Sequence, residues 1–187
     1  PAEYMAALLT SVKDDKDKMA VYLAECRRMK IQVLPPDVNE SAATFTPVGP
    51  DIRFGMTAVR NVGAGVVAEI VRAREEQGRF TDFNDFMSKV PASVCNKRVL
   101  ESLIKAGAFD DLKLGRRALV SIHEAAVDAY VDIKRNEAIG QDSLFGDLGG
   151  DEDFAAFGVA ITVPDIAEWD KMTLLSHERD MLGLYVS

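Results

Sequence analysis

A mainly α fold carrying one small β-hairpin is predicted for this chain, on three observations. Apolar residues recur at helical spacing in successive segments of the 187 residues, whereas β-prone runs are short and closed by Pro or Gly. Hydrophobic content of 48% is enough to bury a core, in one domain or two small ones. Two apolar runs are also joined by the corner Gly63-Ala64-Gly65, a pattern that suits two helices meeting at a tight turn.

Residues 1–11 and 15–29 are predicted helices on a common core, with Met5, Leu8, Leu9 and Val12 on the first and Met19, Tyr22, Leu23 and Cys26 on the second. Arg27, Arg28 and Lys30 place positive charge at the negative end of the second helix dipole. Ile31-Gln32-Val33-Leu34 is short and β-prone, and Pro35-Pro36 stops it. Asp37 and Glu40 follow in that Pro-bounded loop as turn formers and caps, with no catalytic role assigned. Residues 44–48 and 51–54 flank Gly49-Pro50 as a β-hairpin.

From Val59 to Val71 the chain is predicted to form a short apolar helix, a hairpin with two glycines and a second apolar helix running to about Gln77. Gly63 and Gly65 permit positive φ and keep side chains away, so N–H groups of the hairpin and of the next turn can face outward. With a helix dipole behind them, such amides suit one phosphate. Apolar residues at 59, 62, 66, 67, 70 and 71, with small Ala68, give the stretch the pattern of a helix-hairpin-helix element, which holds a DNA backbone without reading bases. The same residues also suit an ordinary helical corner in which Gly-x-Gly makes only the bend.

Thr81 is expected to cap the next helix, and Phe80, Phe83 and Phe86, three residues apart, read as core rather than as a base-stacking platform. Residues 95–110 repeat the theme: Asn96 caps a helix apolar at 99, 100, 103 and 104, and Gly107 turns the chain. Two such units could straddle a groove, each holding one strand. The residues assigned to DNA are Arg60, Asn61, Val62, Gly63, Ala64, Gly65, Lys97, Arg98, Lys105 and Gly107, although for any one of Lys97, Arg98 and Lys105 a solvated helix face is the better reading.

A long helix is expected from Arg116 to about Ala138, buttressing the hairpins; His123 on it is solitary, neither metal ligand nor base. It should end at Gly140, where Gln141-Asp142-Ser143-Leu144-Phe145 sets two adjacent apolar residues in an acidic, Gly-rich loop. That spacing suits an extended peptide docking Leu and Phe into a partner's pocket. The gross transfer term is on the order of 4–5 kcal/mol before ordering costs, hence weak and reversible binding. Phe145 folding back onto the chain is the alternative. A last helix is expected near 169–182.

Net charge is −8, yet residues 53–135 hold 14 Lys/Arg against 11 Asp/Glu, leaving 8 against 19 elsewhere. A surplus of three fits a grip made through backbone amides better than one made by a large basic patch. Cys26 and Cys95 stand far apart with no CxxC, which argues against a structural zinc site and for reduced, buried or incidental thiols. Without a membrane-length apolar run or a signal peptide, a cytoplasmic location with no membrane partner is expected. A chain beginning with Pro1 and stopping after Ser187 reads as an excised fragment.

The order of these pieces resembles the family C bacterial replicative DNA polymerases, the DNA polymerase III alpha subunits. The resemblance is carried by Pro1–Leu9, by Ile31-Gln32-Val33-Leu34-Pro35-Pro36-Asp37-Val38-Asn39, and by Ile52-Arg53-Phe54-Gly55 leading into Gly63-Ala64-Gly65. It continues through Asn96–Asp110, Glu137–Gln141 and Glu178–Tyr185. It implies the end of a fingers domain at 1–43, then a β-hairpin plus tandem helix-hairpin-helix DNA-binding domain at 44–139. A sliding-clamp-binding loop at 140–150 follows, with an acidic linker and final helix at 151–187 leading to an OB-fold. The implied partners are duplex DNA, the sliding clamp at Gln141, Asp142, Ser143, Leu144 and Phe145, and other polymerase III holoenzyme subunits. The family's catalytic aspartates and Mg²⁺ belong to a palm upstream, so no cofactor, no metal ligand and no catalytic residue is assigned here and the fragment alone should not polymerise DNA. Lys30 departs from the family pattern, which has Gly at that helix end, and the acidic run Asp151-Glu152-Asp153 receives no functional reading.

Two other classes use similar pieces. A DNA-repair ligase or nuclease would need a nucleophilic Lys or metal carboxylates, and none stands out. A pure interaction module would pack its hairpins only against protein.

Overall fold

The structure, a computed structural model, describes residues 1–142, with backbone alone at 140–142, and residues 161–186. Helices α1 (Ala2–Ser11) and α2 (Lys16–Arg28) open the chain. The Asp15 carboxylate caps α2 by accepting the Lys18 N–H at 3.1 Å. At its other end Ile31 N–H reaches Cys26 O at 2.8 Å and Lys30 N–H reaches Arg27 O at 3.0 Å, a Schellman closure. That closure puts Lys30 at φ 58, the left-handed conformation a glycine would adopt without strain. The departure seen in the sequence is therefore met by bending a lysine into a glycine's geometry.

Strand β1 (Val33–Leu34) pairs in parallel with β3 (Asp51–Arg53), which pairs antiparallel with β2 (Thr46–Val48) in the register Thr46↔Arg53 and Val48↔Asp51. The expected β-hairpin thus gains a third strand, contributed from before residue 44, and α1 packs against β2 and β3. Gly55 closes the sheet, because a Cβ there would stand 2.6 Å from the carbonyl carbon of Thr44.

Asp37 and Asn39 are buried and organise the loop after β1. Asp37 Oδ1 accepts the N–H groups of Asn39 at 2.7 Å and Glu40 at 3.1 Å. Asn39 holds the Phe80 main chain from both sides, accepting its N–H at 2.8 Å and donating to its carbonyl at 3.0 Å. Asp37 thus acts as the turn former the sequence predicts, whereas Asn39 ties the loop to a segment 41 residues away.

A 3-10 turn (Met56–Ala58) leads through a corner into α3 (Ala64–Gln77). Helices α4 (Phe83–Lys89), α5 (Lys97–Lys105) and α6 (Arg116–Asp142) follow. The expected short helix before the corner is only that 3-10 turn. Asp82, not Thr81, caps α4, accepting the Asp85 N–H at 2.7 Å, while Asp85 accepts the Thr81 N–H at 2.9 Å in a reciprocal box. Phe80, Phe83 and Phe86 are buried with Phe109, the last two pairing edge to face at 4.9 Å, so the aromatic stripe is core. Both cysteines are buried, free thiols.

Helix α6 runs through Gly140 to Asp142, past the expected end near 138, a lone helical glycine costing only about 1 kcal/mol against alanine. Asn84 clasps the Ile161 main chain, donating to its carbonyl at 2.7 Å and accepting its N–H at 3.0 Å. Further along, Glu168 accepts the N–H groups of Arg116 at 2.7 Å and Arg117 at 3.0 Å, capping α6 from 52 and 51 residues away. Helix α7 (Lys171–Leu182) then packs on α5.

Candidate nucleic-acid interface

The corner before α3 differs in mechanism from the sequence expectation. Gly63 caps α3 with φ −84, and Gly65 lies inside the first helical turn, so neither uses positive φ. The left-handed residue is Asn61, at φ 68, a conformation Asn tolerates better than most L-residues. Val59, Val62, Val67 and Ile70 are buried, anchoring the corner to the core, while Val66 and Val71 are half-buried. Ala68 is exposed and serves no close helix contact.

What the glycines supply is open space. A Cβ on Gly63 or on Gly65 would meet nothing within 4 Å, and Gly63, Ala64 and Gly65 are all exposed. Gly63 offers no side chain to cap the helix. Its carbonyl accepts the Val67 N–H at 3.1 Å, and the amides of Ala64, Gly65 and Val66 take no partner among the described residues. Three donors at the positive end of a helix of 14 residues are therefore left without a partner among the described residues, and Gly63 and Gly65 put no side chain beside them. Arg60, exposed beside them, adds a cation.

The second unit is built differently. Asn96 precedes α5 and its Oδ1 accepts the N–H groups of Arg98 at 2.9 Å and Val99 at 3.2 Å, so this helix end satisfies its own donors. Lys97 pairs with Asp128 at 3.0 Å and Lys105 with Glu101 at 2.6 Å. The Lys105 ammonium holds the Glu101 carboxyl below its usual range. Arg98 stands exposed at the helix start.

Gly107 leaves the interface altogether. It is buried at φ 89, its N–H reaching Ile104 O at 3.0 Å as the C-terminal turn of α5. A Cβ there would lie 2.5 Å from an Arg116 guanidinium nitrogen. Arg116 binds Asp110 twice, at 3.0 and 2.7 Å, the Lys105 carbonyl at 3.3 Å and the buried Glu178 at 3.4 Å. Burial works against the guanidinium charge, but Asp110 and Glu178 more than restore it, so its pKa lies above the ordinary arginine value.

Three parts of this arrangement escape sequence reading. Ser102 on α5 accepts a hydrogen bond from Asn61 Nδ2 at 3.0 Å; its signal is a polar residue inside an apolar helix face. Met181, at the end of α7, offers its carbonyl to the Arg60 N–H at 2.8 Å. Glu168 caps α6, and no local pattern announces either of these last two.

Asp37 is the strongly perturbed carboxyl. Burial, then the neighbouring Asp111 carboxyl, push its pKa to about 6 against the pull of the Asn39 amide and Arg53. It faces the protein interior and not the hairpin amides. His123 is buried on α6 with Nδ1 against Val120 O at 2.6 Å. Among the described residues no group of three or more His, Cys, Asp or Glu could hold a metal ion, and no helix is long and apolar enough to cross a membrane. Gln141 and Asp142 form the last turn of α6, so that part of the peptide is helical where an extended one is expected. Ser143, Leu144, Phe145 and the acidic run at 151–153 lie outside the described residues.

A pair of Gly- and Asn-capped helices, each entered through a tight corner on one aromatic core, defines a tandem helix-hairpin-helix region. In agreement, a family model described as a helix-hairpin-helix motif matches residues 30–119. Along its whole length the chain matches a segment of bacterial DNA polymerase III alpha subunits. It is 59% identical over its whole length to the DNA polymerase III subunit alpha of Saccharopolyspora erythraea, 56% to that of Mycobacterium tuberculosis and 38% to that of Campylobacter jejuni. It spans 16% of the length of each of these relatives.

Proposed function

We propose that this region grips the backbone of duplex DNA without reading its sequence and tethers a replicative polymerase to its sliding clamp. The observation that carries the first part is the set of amides at Ala64, Gly65 and Val66 that take no partner among the described residues, flanked by the side-chain-free Gly63 and Gly65 and lying within the matched helix-hairpin-helix span. Amides and a helix dipole engage a phosphate oxygen whatever base is attached. Arg60 and Arg98 supplement that grip, while Lys97 and Lys105 reach DNA only by leaving their carboxylates. Chromosomal replication is the setting, because the relatives are named as DNA polymerase III subunit alpha. Residues 1–43 would then close a fingers domain, 44–139 hold the duplex, 140–150 reach the clamp and 151–187 lead onward. Polymerisation and its Mg²⁺ belong to parts of such a subunit not contained in this stretch. A cytoplasmic location follows from that role.

The test is titration of a fluorescent duplex of mixed sequence at low salt, followed by anisotropy. Weak binding is expected, equal across sequences, with log affinity falling against log salt by about 0.9 for each phosphate engaged. Absence of binding at low salt and high protein concentration refutes the grip. For the tether, calorimetry with the cognate clamp should give micromolar binding that a Leu144→Ala, Phe145→Ala double variant abolishes; binding indifferent to those residues refutes it.

A further inference from the structure

Asn61 turns its side chain inward from the exposed corner, donating from Nδ2 to Ser102 Oγ at 3.0 Å. Ser102 is 2% exposed and stands among Val99, Leu100, Leu103 and Ile104 on the buried face of α5. A hydroxyl in such a place costs desolvation unless a partner meets it. The bond joins the left-handed residue of the first unit to the second helix of the other unit, 41 residues away. Three residues after Asn61 the open amides begin, so the corner's orientation sets the direction in which they point.

We infer that Ser102 is a positioning residue for the phosphate grip: through Asn61 it fixes the corner that aims the Ala64, Gly65 and Val66 amides. The inference rests on the backbone-grip reading. Asn meets two demands at this position, since it tolerates φ 68 and also carries the donor. Glycine would meet the first and lack the second. The Arg60 N–H to Met181 O bond braces the preceding residue against α7 in parallel, so loss of the Ser102 bond loosens the corner without unfolding it.

The experiment compares Asn61→Gly, Ser102→Ala and the double variant in the 187-residue chain, by duplex anisotropy at low salt and by hydrogen exchange at the Val62 amide, whose bond to the Val59 carbonyl holds the corner. Asn61→Gly keeps the backbone conformation while deleting the donor. Each single variant should bind about five- to tenfold more weakly and exchange faster at Val62, and Ser102→Ala, which leaves no buried hydroxyl without a partner, should keep its thermal stability nearly unchanged. The double variant should be no worse than either single one, because both remove one shared bond. Losses that multiply in the double variant overturn the inference, as do single variants that bind and exchange like the parent. If those variants bind normally while Gly65→Ala weakens binding, the grip stands and only the positioning role falls. A parent chain that binds no duplex removes both.

Discussion

Gly65→Ala separates a glycine kept for the fold from one kept for a ligand. Residue 65 sits in the first turn of α3 without positive φ, and the added methyl meets nothing within 4 Å. The fold therefore gains from alanine, which is better than glycine by up to about 1 kcal/mol in a helix interior and about half that in a first turn. For a chain of this size a gain of about 0.5 kcal/mol raises Tm by about 1–2 °C. The same methyl stands in front of the amides that would take a phosphate oxygen. Losing one hydrogen bond to a charged group costs about 1.5–3 kcal/mol, which lowers duplex affinity roughly 10- to 100-fold. Urea unfolding and duplex anisotropy on one preparation read both quantities. Destabilisation of more than about 1 kcal/mol would show that the fold needs this glycine, against the open geometry argued from the structure. Higher stability with unchanged affinity would show that no phosphate comes there.

Gly107→Ala should do the reverse. Left-handed strain of about 1–2 kcal/mol adds to the displacement of Arg116 from Asp110 and Glu178, for a loss of about 3 kcal/mol or more in urea unfolding. A loss below about 1 kcal/mol refutes the packing argument. Lys30→Gly relieves φ 58 at the end of α2 and should raise stability by about 0.5–1 kcal/mol, with no change in duplex affinity. Asp37 titrates near pH 6 in the fold against 3.8 ordinarily, so the folded chain binds its proton more tightly. Its contribution to stability is therefore full below about pH 4, is lost as pH rises to about 6 and stays lost above. Asp37→Asn retains the Oδ1 acceptor and should be more stable than the parent at pH 7.5 by on the order of 2–3 kcal/mol. That difference should vanish by pH 4; one that does not depend on pH refutes the assignment.

The helices were legible because their apolar faces repeat at 3.6 residues, as at Val99, Leu100, Leu103 and Ile104. The core aromatics were legible for the same reason. The corner was legible in place and misread in mechanism: two glycines drew the positive φ in the reading, while Asn61, which can adopt it, carries it in the fold. Gly107 looked like a second phosphate corner because the sequence does not show Arg116 lying against it. Ends of elements were least legible, since Asp82 displaced Thr81 by a local box and α6 ran through Gly140. The last helix, expected near 169–182 and found at Lys171–Leu182, was legible, but what residues 161–186 do for the rest of the fold was not, because a carboxylate at 168 and a carbonyl at 181 act on residues 51 to 121 positions away.

The cap that Glu168 places on α6 and the carbonyl that Met181 offers to Arg60 set a timetable for the hairpin. During synthesis the matched span 30–119 emerges well before either partner. At about 5–20 residues per second the corner waits several seconds for residue 181. Until then the Arg60 amide lacks its carbonyl partner and Arg116 lacks Glu178. A truncation at the end of the matched span would hold the molecule in that unfinished state for good. The corner before α3 thus becomes fully braced only after the polypeptide beyond it has been made.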